Sequence, residues 1–373
     1  MKVLNIMSRF NVGGTSQWLY QLSIGLGENK IENLLVIGEC PAHEKEDIRL
    51  KELNHLKVDG LGPKTSIFTT VQAFLRLRKI IKEYSPEIIN THTSKAGVIG
   101  RIASKSVKGK GKIVHTYHGH VLTGYFNKVI ELGIQAVEIF LSFITDYFLV
   151  SGEKVLSDIK KAKIIRGSNF MTVWPAVPDY SLNNREKLRR SHEIEPERIV
   201  IGWLGRKVPI KRIDRILEVA SQFPDAIFLI AGDGESIKQT FSQYFQNGKL
   251  TNVKELGFST PSDIWSMSDI AVLTSDNEAM PISPIEAALG SLPVVAIDAG
   301  ATSEVVLDGL TGILCSKKPE EFAAALKTLI RDASMRSKLG EAGRKLALSR
   351  FSPESSVQRQ IQGYQAAISA TTI

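Results

Sequence analysis

The chain has 373 residues, 43% hydrophobic and 23% charged, a length for two to three packed domains and a composition ordinary for a soluble globular protein. Its two cysteines, Cys40 and Cys315, lie far apart with no C-x-x-C, which excludes a disulfide framework and a cysteine zinc site and points to a reducing cytoplasm. The net charge of +8 sits in residues 1–180, with 24 Lys/Arg against 16 Asp/Glu (23 against 23 in residues 181–373), so that half is expected to meet an anionic substrate or an anionic membrane surface.

Residues 2–9 read as a short alternating strand, not a leader peptide, and run into the glycine loop Asn11-Val-Gly13-Gly14-Thr-Ser16. A helix over 17–26 follows. Strand, glycines and helix together bring backbone N–H groups close to a phosphate. Without the full G-x-G-x-x-G spacing, a plain tight turn also accounts for this loop. A strand over 33–38 and a basic amphipathic helix over 67–82 come next. The strand over 87–90 opens into His92-Thr-Ser94-Lys95-Ala-Gly, which puts polar groups at a strand end and a helix start. No run of about 18 uncharged apolar residues occurs, so no membrane span is expected. Lysines are not interleaved with aromatics and no reader motif appears, which argues against nucleic acid.

The strand over 113–117 delivers His118-Gly-His120. Three histidines, with His115, could ligate zinc, but strand parity sends His115 and His118 to opposite faces and no carboxylate or cysteine completes the set. No metal is assigned. Residues 121–147 read as one or two helices, mostly core, with the part near Tyr125-Phe126 exposed. A strand over 147–151, a basic helix over 153–163 and a proline-bracketed connection over 173–178 close the first half.

The second half opens with a short charged helix within 183–198. A strand over 199–204 leads into Gly205-Arg206-Lys-Val-Pro-Ile-Lys211, by itself readable as a solvated basic loop. Strands at 227–231 and 253–258 and a helix at 263–268 precede a strand at 271–275. Then comes the turn Glu278-Ala-Met-Pro281-Ile282-Ser283, a helix from residue 284 and a strand at 293–298. Helices are expected at 320–331, 335–349 and 353–368. The alternation on both sides of residue 180 argues for two doubly wound α/β domains.

The turn from 275 to 284 lies at the carboxyl end of a strand, where open α/β sheets bind ligands. Ser283 as N-cap and Pro284 in the first helical position would present free N–H groups to an anion. Ser283-Pro-Ile-Glu286 also spells a capping box, in which Glu286 merely reaches back to the Ser283 N–H. Glu278, outside the helix, is not explained that way.

The E-x7-E of Glu278 and Glu286, followed by P-V-V-A and S-E-V-V, resembles the retaining glycosyltransferases of family 4. So do G-R-x4-K at Arg206 and Lys211, the double glycine at 13 and 14, and the pair H-T-S-K-A-G and H-T-Y-H-G-H. Ala279 stands where that family more often has glycine, and Ala176-Val177 where it has P-N-G-[VI], which leaves the hinge geometry open. The resemblance implies a GT-B fold: two Rossmann-like domains facing each other across a cleft, with a C-terminal helix crossing back. The expected divisions are residues 1–180, on which 353–373 packs back, and a nucleotide-sugar domain at 181–352.

The same resemblance implies roles. Arg206 and Lys211 clamp the donor diphosphate, joined by Pro281, Ile282 and Ser283 at the helix start. Glu278 holds a hydroxyl of the donor sugar and Glu286 the ribose hydroxyls, while Gly257 and Phe258 lie beside the base. His118 reaches the sugar from the first domain, whose Gly13 and Gly14 let it close on the donor. His92, Ser94, Lys95 and Tyr125 fall on the acceptor side. With no D-x-D, no cofactor and no divalent metal are expected. The implied reaction moves a hexosyl or N-acetylhexosaminyl group, with retention, from a nucleoside-diphosphate sugar to a hydroxyl acceptor. UDP is favoured as the family's commonest donor, and a lipid-linked or polysaccharide-assembly acceptor by the H-T-S-K-A-G subgroup. The implied location is the cytoplasm, with peripheral contact on the inner face of the membrane. A nucleotide-sugar epimerase on the same fold and a non-catalytic nucleotide-sugar-binding partner are the alternatives.

Overall fold

The computed structural model describes residues 1–42, 44–63, 66–109, 111–119, 127–165, 167–246 and 250–370. The chain divides into two compact units, Met1–Val177 with Pro353–Ile373, and Pro178–Ser352.

The first unit runs β1 (Lys2–Met7), α1 (Gly14–Glu28), β2 (Glu32–Ile37), β3 (His55–Lys57), α2 (Ile67–Tyr84), β4 (Ile88–His92), α3 (Ser94–Lys105), β5 (Lys112–Tyr117), α4 (Lys128–Ser142), β6 (Tyr147–Ser151), α5 (Gly152–Lys161) and β7 (Phe170–Val173). Its strands form one parallel sheet in the order β3-β2-β1-β4-β5-β6-β7. Parallel strands need long crossovers, here mostly helical, and helices on both faces bury the strands on both sides, hence apolar runs such as Ile88-Ile89 and Phe148-Leu149-Val150. One face packs Trp18, Leu19 and Leu22 of α1 with Val357, Ile361 and Tyr364 near the chain's end. The other packs Ala73, Leu77 and Ile81 of α2 with Ile99 and Ala103 of α3.

The second unit runs α6 (Arg185–Ser191), β8 (Ile199–Leu204), α7 (Asp214–Ala220), β9 (Ala226–Ala231), α8 (Ile237–Thr240), α9 (Ser242–Phe245), β10 (Val253–Gly257), α10 (Pro261–Met267), β11 (Ile270–Leu273), α11 (Ile282–Leu289), β12 (Val294–Ile297), β13 (Gly312–Cys315), α12 (Pro319–Arg331) and α13 (Ala333–Phe351). Its parallel sheet has the order β10-β9-β8-β11-β12-β13 around Trp203, Phe228, Phe322 and Leu326. The last helix, α14 (Pro353–Ser369), belongs to the first unit, where the Tyr364 hydroxyl accepts from Asn90 Nδ2 at 2.9 Å and the Ser356 hydroxyl donates to the Trp174 carbonyl at 2.5 Å.

In both sheets the strand order reverses direction once, between β1 and β4 in the first and between β8 and β11 in the second. The carboxyl ends of those strand pairs are the crevices where doubly wound sheets take ligands. Two Rossmann-like α/β units of this order make the chain a GT-B fold.

Three expectations need correction. Within residues 121–147, the stretch 121–126 falls outside the described residues, and the rest is a single helix that is not mostly core. On α4, Val129, Leu132 and Phe140 are exposed, while Glu138 is buried and accepts from the Arg101 guanidinium at 2.8 Å and the Tyr117 hydroxyl at 2.6 Å. A fully buried arginine requires a buried acceptor, and supplying one turns the apolar side of α4 outward. The connection assigned to 173–178 is preceded by the unforeseen strand β7, and β3 was likewise unseen; both are short and lie at sheet edges. Finally, α11 begins at Ile282 with Pro281 as its N-cap, so Ser283 lies inside the helix and caps nothing with its side chain. Pro284 is tolerated there because the first-turn N–H groups have no intrahelical partner anyway. Among the described residues no helix is long and apolar enough to cross a membrane, and Cys40 and Cys315 are free thiols.

Candidate active site

In the second unit the loops after β8 and β11 are laced together. Thr274 Oγ1 donates to the Lys211 carbonyl at 2.9 Å, the Asp276 N–H to the Ile210 carbonyl at 2.9 Å, and Arg215 of α7 to the Thr274 carbonyl at 2.6 Å. Asp276 gathers Arg215 at 2.7 Å, Arg212 at 3.0 Å and Lys317 at 3.1 Å. Burial alone would raise its pKa, but these three cations outweigh it and hold the carboxyl well below the usual range. The cluster thus clamps the base of both loops.

On that base Lys211 and Glu278 meet, Nζ to Oε1 at 2.5 Å, and the Ser275 hydroxyl donates to the same oxygen at 2.6 Å. Glu278 Oε2 takes no hydrogen bond among the described residues. Gly300 explains how Glu278 is seated: its φ is +63°, and a Cβ there would run into the Glu278 carbonyl oxygen, which accepts from the Ala301 N–H at 2.7 Å. Arg206 is exposed, with no ion-pair partner among the described residues. A cation tethered at Lys211 and an unencumbered one at Arg206 suit a polyanion at the strand ends.

Glu286, one helical turn into α11, is 8% exposed, and burial pushes its carboxyl up to about 7. No hydrogen bond joins it to the Ser283 N–H among the described residues, and with α11 starting at Ile282 the capping box does not form. Its backbone carbonyl instead accepts from the Tyr180 hydroxyl at 2.6 Å. Pro281 is buried and Ile282 and Ser283 are half-buried at the N-terminus of α11, where the helix dipole is positive. Gly257, with φ +67° at the end of β10, accepts at its carbonyl from the Gly232 N–H at 2.6 Å, and next to it Phe258 is an exposed aromatic face. Beside this loop Lys207 pairs with Glu255.

In the first unit the β1 and β4 ends build a different arrangement. Register places Asn5 opposite Asn90 and His92 opposite Thr116, so Asn5, His92 and His118 come together. Asn5 Nδ2 donates to Asn33 Oδ1 at 2.7 Å, which turns Asn5 Oδ1 toward His92 Nε2 at 3.0 Å. His92 therefore carries its proton on Nε2. Its Nδ1 accepts from His118 Nε2 at 2.8 Å, so His118 is protonated on Nε2 and keeps a bare lone pair on Nδ1. That Nδ1 is buried with no hydrogen-bond partner among the described residues, and burial lowers the His118 pKa to about 3. Trp18 packs edge-on against the ring at 4.6 Å. The result is a neutral imidazole whose Nδ1 can only accept a hydrogen bond.

This revises one assignment. His92 is fully buried, with both ring nitrogens engaged inside the unit, so it orients His118 and is not open to an acceptor. The next residue, Thr93, holds φ +63°, rare for a β-branched side chain, and is braced by the Ser8 hydroxyl at 2.8 Å. Ser94 is exposed at the start of α3. Lys95 donates to the Gly62 carbonyl at 2.8 Å, and burial lowers its pKa. Gly13 and Gly14 are exposed. Gly13 has an extended backbone, and an added Cβ would meet nothing within 4 Å, so internal packing does not demand glycine. Tyr125 and His120 lie outside the described residues.

Asn5, Ser275 and Asp276 escaped the sequence reading. A signal for Asn5 was present: a polar residue within the apolar run of a strand buried on both faces needs a partner.

Two family models match the chain, Glycosyltransferase Family 4 over residues 12–177 and Glycosyl transferases group 1 over residues 184–346. The chain belongs to the family 4 glycosyltransferases. This family 4 enzyme is 27% identical over 67% of both chains to the UDP-Gal:alpha-D-GlcNAc-diphosphoundecaprenol alpha-1,3-galactosyltransferase of Escherichia coli. It is 23% identical, over 78% of its length and 79% of the relative's, to the capsular polysaccharide biosynthesis glycosyltransferase CapM of Staphylococcus aureus. Among solved structures, Anabaena Alr3699/HepE in complex with UDP and glucose superposes with a TM-score of 0.83 at 19% identity, over 98% of this chain and all of the other. The family 4 enzyme is thus a sugar transferase.

Proposed function

We propose that this glycosyltransferase takes its sugar from a UDP-sugar and passes it, with retention of configuration, to a hydroxyl of a lipid-linked intermediate in polysaccharide assembly. The observation that carries the reading is the Lys211–Glu278 pair, joined by Ser275, on the loops that follow β8 and β11, with exposed Arg206 on the same loop as Lys211. Arg206, Lys211 and the N-terminus of α11 receive the diphosphate, whose charge grows as the bond to the sugar breaks. Glu286 accepts from the ribose hydroxyls, and the unused Oε2 of Glu278 from a sugar hydroxyl. Gly257 and Phe258 flank the base. A sugar-contacting role for His118, through Nδ1, and a donor-side role for Gly13 and Gly14 belong to the same proposal.

In the transfer, the bond from C1 to the diphosphate oxygen breaks and a bond from C1 to the acceptor oxygen forms. The acceptor proton passes to the departing diphosphate on the same face, which yields retention without a covalent enzyme intermediate. The cation pair supports transfer without a divalent metal. Support for a lipid-linked acceptor comes from the Escherichia coli relative, whose own name carries a diphosphoundecaprenol substrate, and from the basic first half of the chain. This reading puts the enzyme at the cytoplasmic face of a membrane, with Ser94 and Lys95 toward the acceptor.

A panel of nucleotide sugars screened by thermal shift tests the donor. A true donor at 100 times its dissociation constant adds about 2.7 kcal/mol of stability. Transfer to polyprenyl-diphosphate sugars, with product anomers assigned by NMR, tests acceptor and stereochemistry. An inverted product, or interconversion of the donor with no transfer, refutes the proposal.

A further inference from the structure

Helix α4 is built inside out. On a helix Val129, Leu132, Ala136 and Phe140 share one face, and all four are exposed, with Val129 at 79% and Phe140 at 64%. The opposite side holds Glu138, buried against Arg101 of α3. Gln135 donates to the Ala162 carbonyl at the end of α5, at 3.0 Å, so α4 lies between α3 and α5. The neighbouring ends are basic: Lys105 and Lys108 at the end of α3, Lys160 and Lys161 at the end of α5, and Lys128 at the start of α4 itself, all exposed. An apolar ridge bordered by cations is therefore held in place by a buried ion pair beneath it.

We propose that the outer face of α4, with the basic ends of α3 and α5 beside it, docks the first unit on an anionic lipid bilayer. A helix lying in the membrane interface sinks its apolar face to the level of the acyl chains, while neighbouring lysines meet anionic headgroups. Charge decides between occupants. A second copy of this chain would bring the same lysines against each other, whereas an anionic bilayer pairs with all of them. The proposal rests on the reading of a lipid-linked acceptor, and it ties docking to that site. Residue 128, where α4 begins, lies ten positions after His118, so the helix and the imidazole share one strand-to-helix connection.

The test is flotation of the full chain with phosphatidylcholine vesicles, plain or carrying about 30% phosphatidylglycerol. Wild type is expected to float with the anionic vesicles and to be released as salt rises, because exposed charges are screened beyond about 8 Å at physiological ionic strength. The double variant Leu132→Ser/Phe140→Ser touches only exposed side chains, so its circular dichroism and its transfer to a water-soluble acceptor should match wild type. Its partitioning onto anionic vesicles should fall at least tenfold, about 1.4 kcal/mol. Lys105→Glu/Lys161→Glu should lose the preference for anionic over neutral lipid. Wild type that binds neither vesicle overturns the proposal, as does an apolar double variant that floats like wild type. A dimer in sedimentation that the double variant dissociates, without vesicle binding, assigns the face to a second copy and also overturns it. If docking depends on α4 but no lipid-linked acceptor is glycosylated, the docking stands and the acceptor reading fails. Transfer to a lipid-linked acceptor with α4-independent flotation separates the two in the other direction and overturns the docking.

Discussion

Glu286→Gln separates structure from function in one substitution. Burial pushes the Glu286 carboxyl from 4.5 up to about 7. Between those values the folded chain holds a proton that the unfolded chain releases, so the free energy of unfolding falls as pH rises through that window. Below 4.5 the group is neutral in both states, and above 7 the folded chain bears the full cost of a desolvated charge. A displacement of about 2.5 pH units at about 1.4 kcal/mol each amounts to about 3 kcal/mol. Glutamine has nearly the same shape and no charge to desolvate. The variant should therefore match wild type near pH 4.5 and exceed it by about 3 kcal/mol at pH 8, several degrees in Tm for a unit of this size. Binding should move the other way. Only the ionised carboxylate accepts from two ribose hydroxyls with charge-assisted bonds, so UDP affinity should drop by about 1.5–3 kcal/mol in the variant. In wild type it should rise between pH 6 and pH 8. Urea titrations at pH 5, 6.5 and 8, followed by fluorescence of the buried Trp203 and Trp265, measure the first effect, and calorimetry with UDP the second. A variant that is less stable than wild type at pH 8, or shifted equally at all three pH values, refutes the assignment of a desolvated carboxylate at this position.

The remaining predictions concern the other groups. Lys211→Ala should lower kcat about 100- to 1,000-fold with a smaller rise in KM, because the charge it meets grows in the transition state; a pure KM effect in steady-state kinetics would contradict this. Turnover should survive a chelator nearly unchanged, and activity that disappears with EDTA and returns with manganese would show that the cations at 206 and 211 are not sufficient. His92→Phe removes the acceptor that orients His118, so kcat should fall about tenfold or more while UDP affinity holds; His92→Gln, able to donate and accept in the same line, should recover part of the loss. Equal loss of UDP binding in both variants would mark His92 as merely structural.

Much of the architecture follows from local pattern. The apolar run at 199–204 coincides with β8, and strand-glycine-helix alternation on both sides of residue 180 is enough to specify doubly wound sheets, because the crossover between parallel strands is usually a helix. The same alternation puts Arg206, Lys211 and Glu278 at strand ends, since chemistry in such sheets gathers at carboxyl termini. What the local pattern does not hold is whatever depends on a distant partner. β3 and β7 are strands only because the sheet edge is there to pair with them. His92 and His118, 26 residues apart, meet through the parallel register of β4 and β5, and Asn5 joins them from β1. The direction faced by α4 depends on Arg101, since an apolar run reads the same whether it covers a core or faces outward. The ionisation of Glu286 is likewise a property of its surroundings: the sequence determines that a carboxylate follows the turn, and tertiary packing decides how much water reaches it and thus what its charge costs.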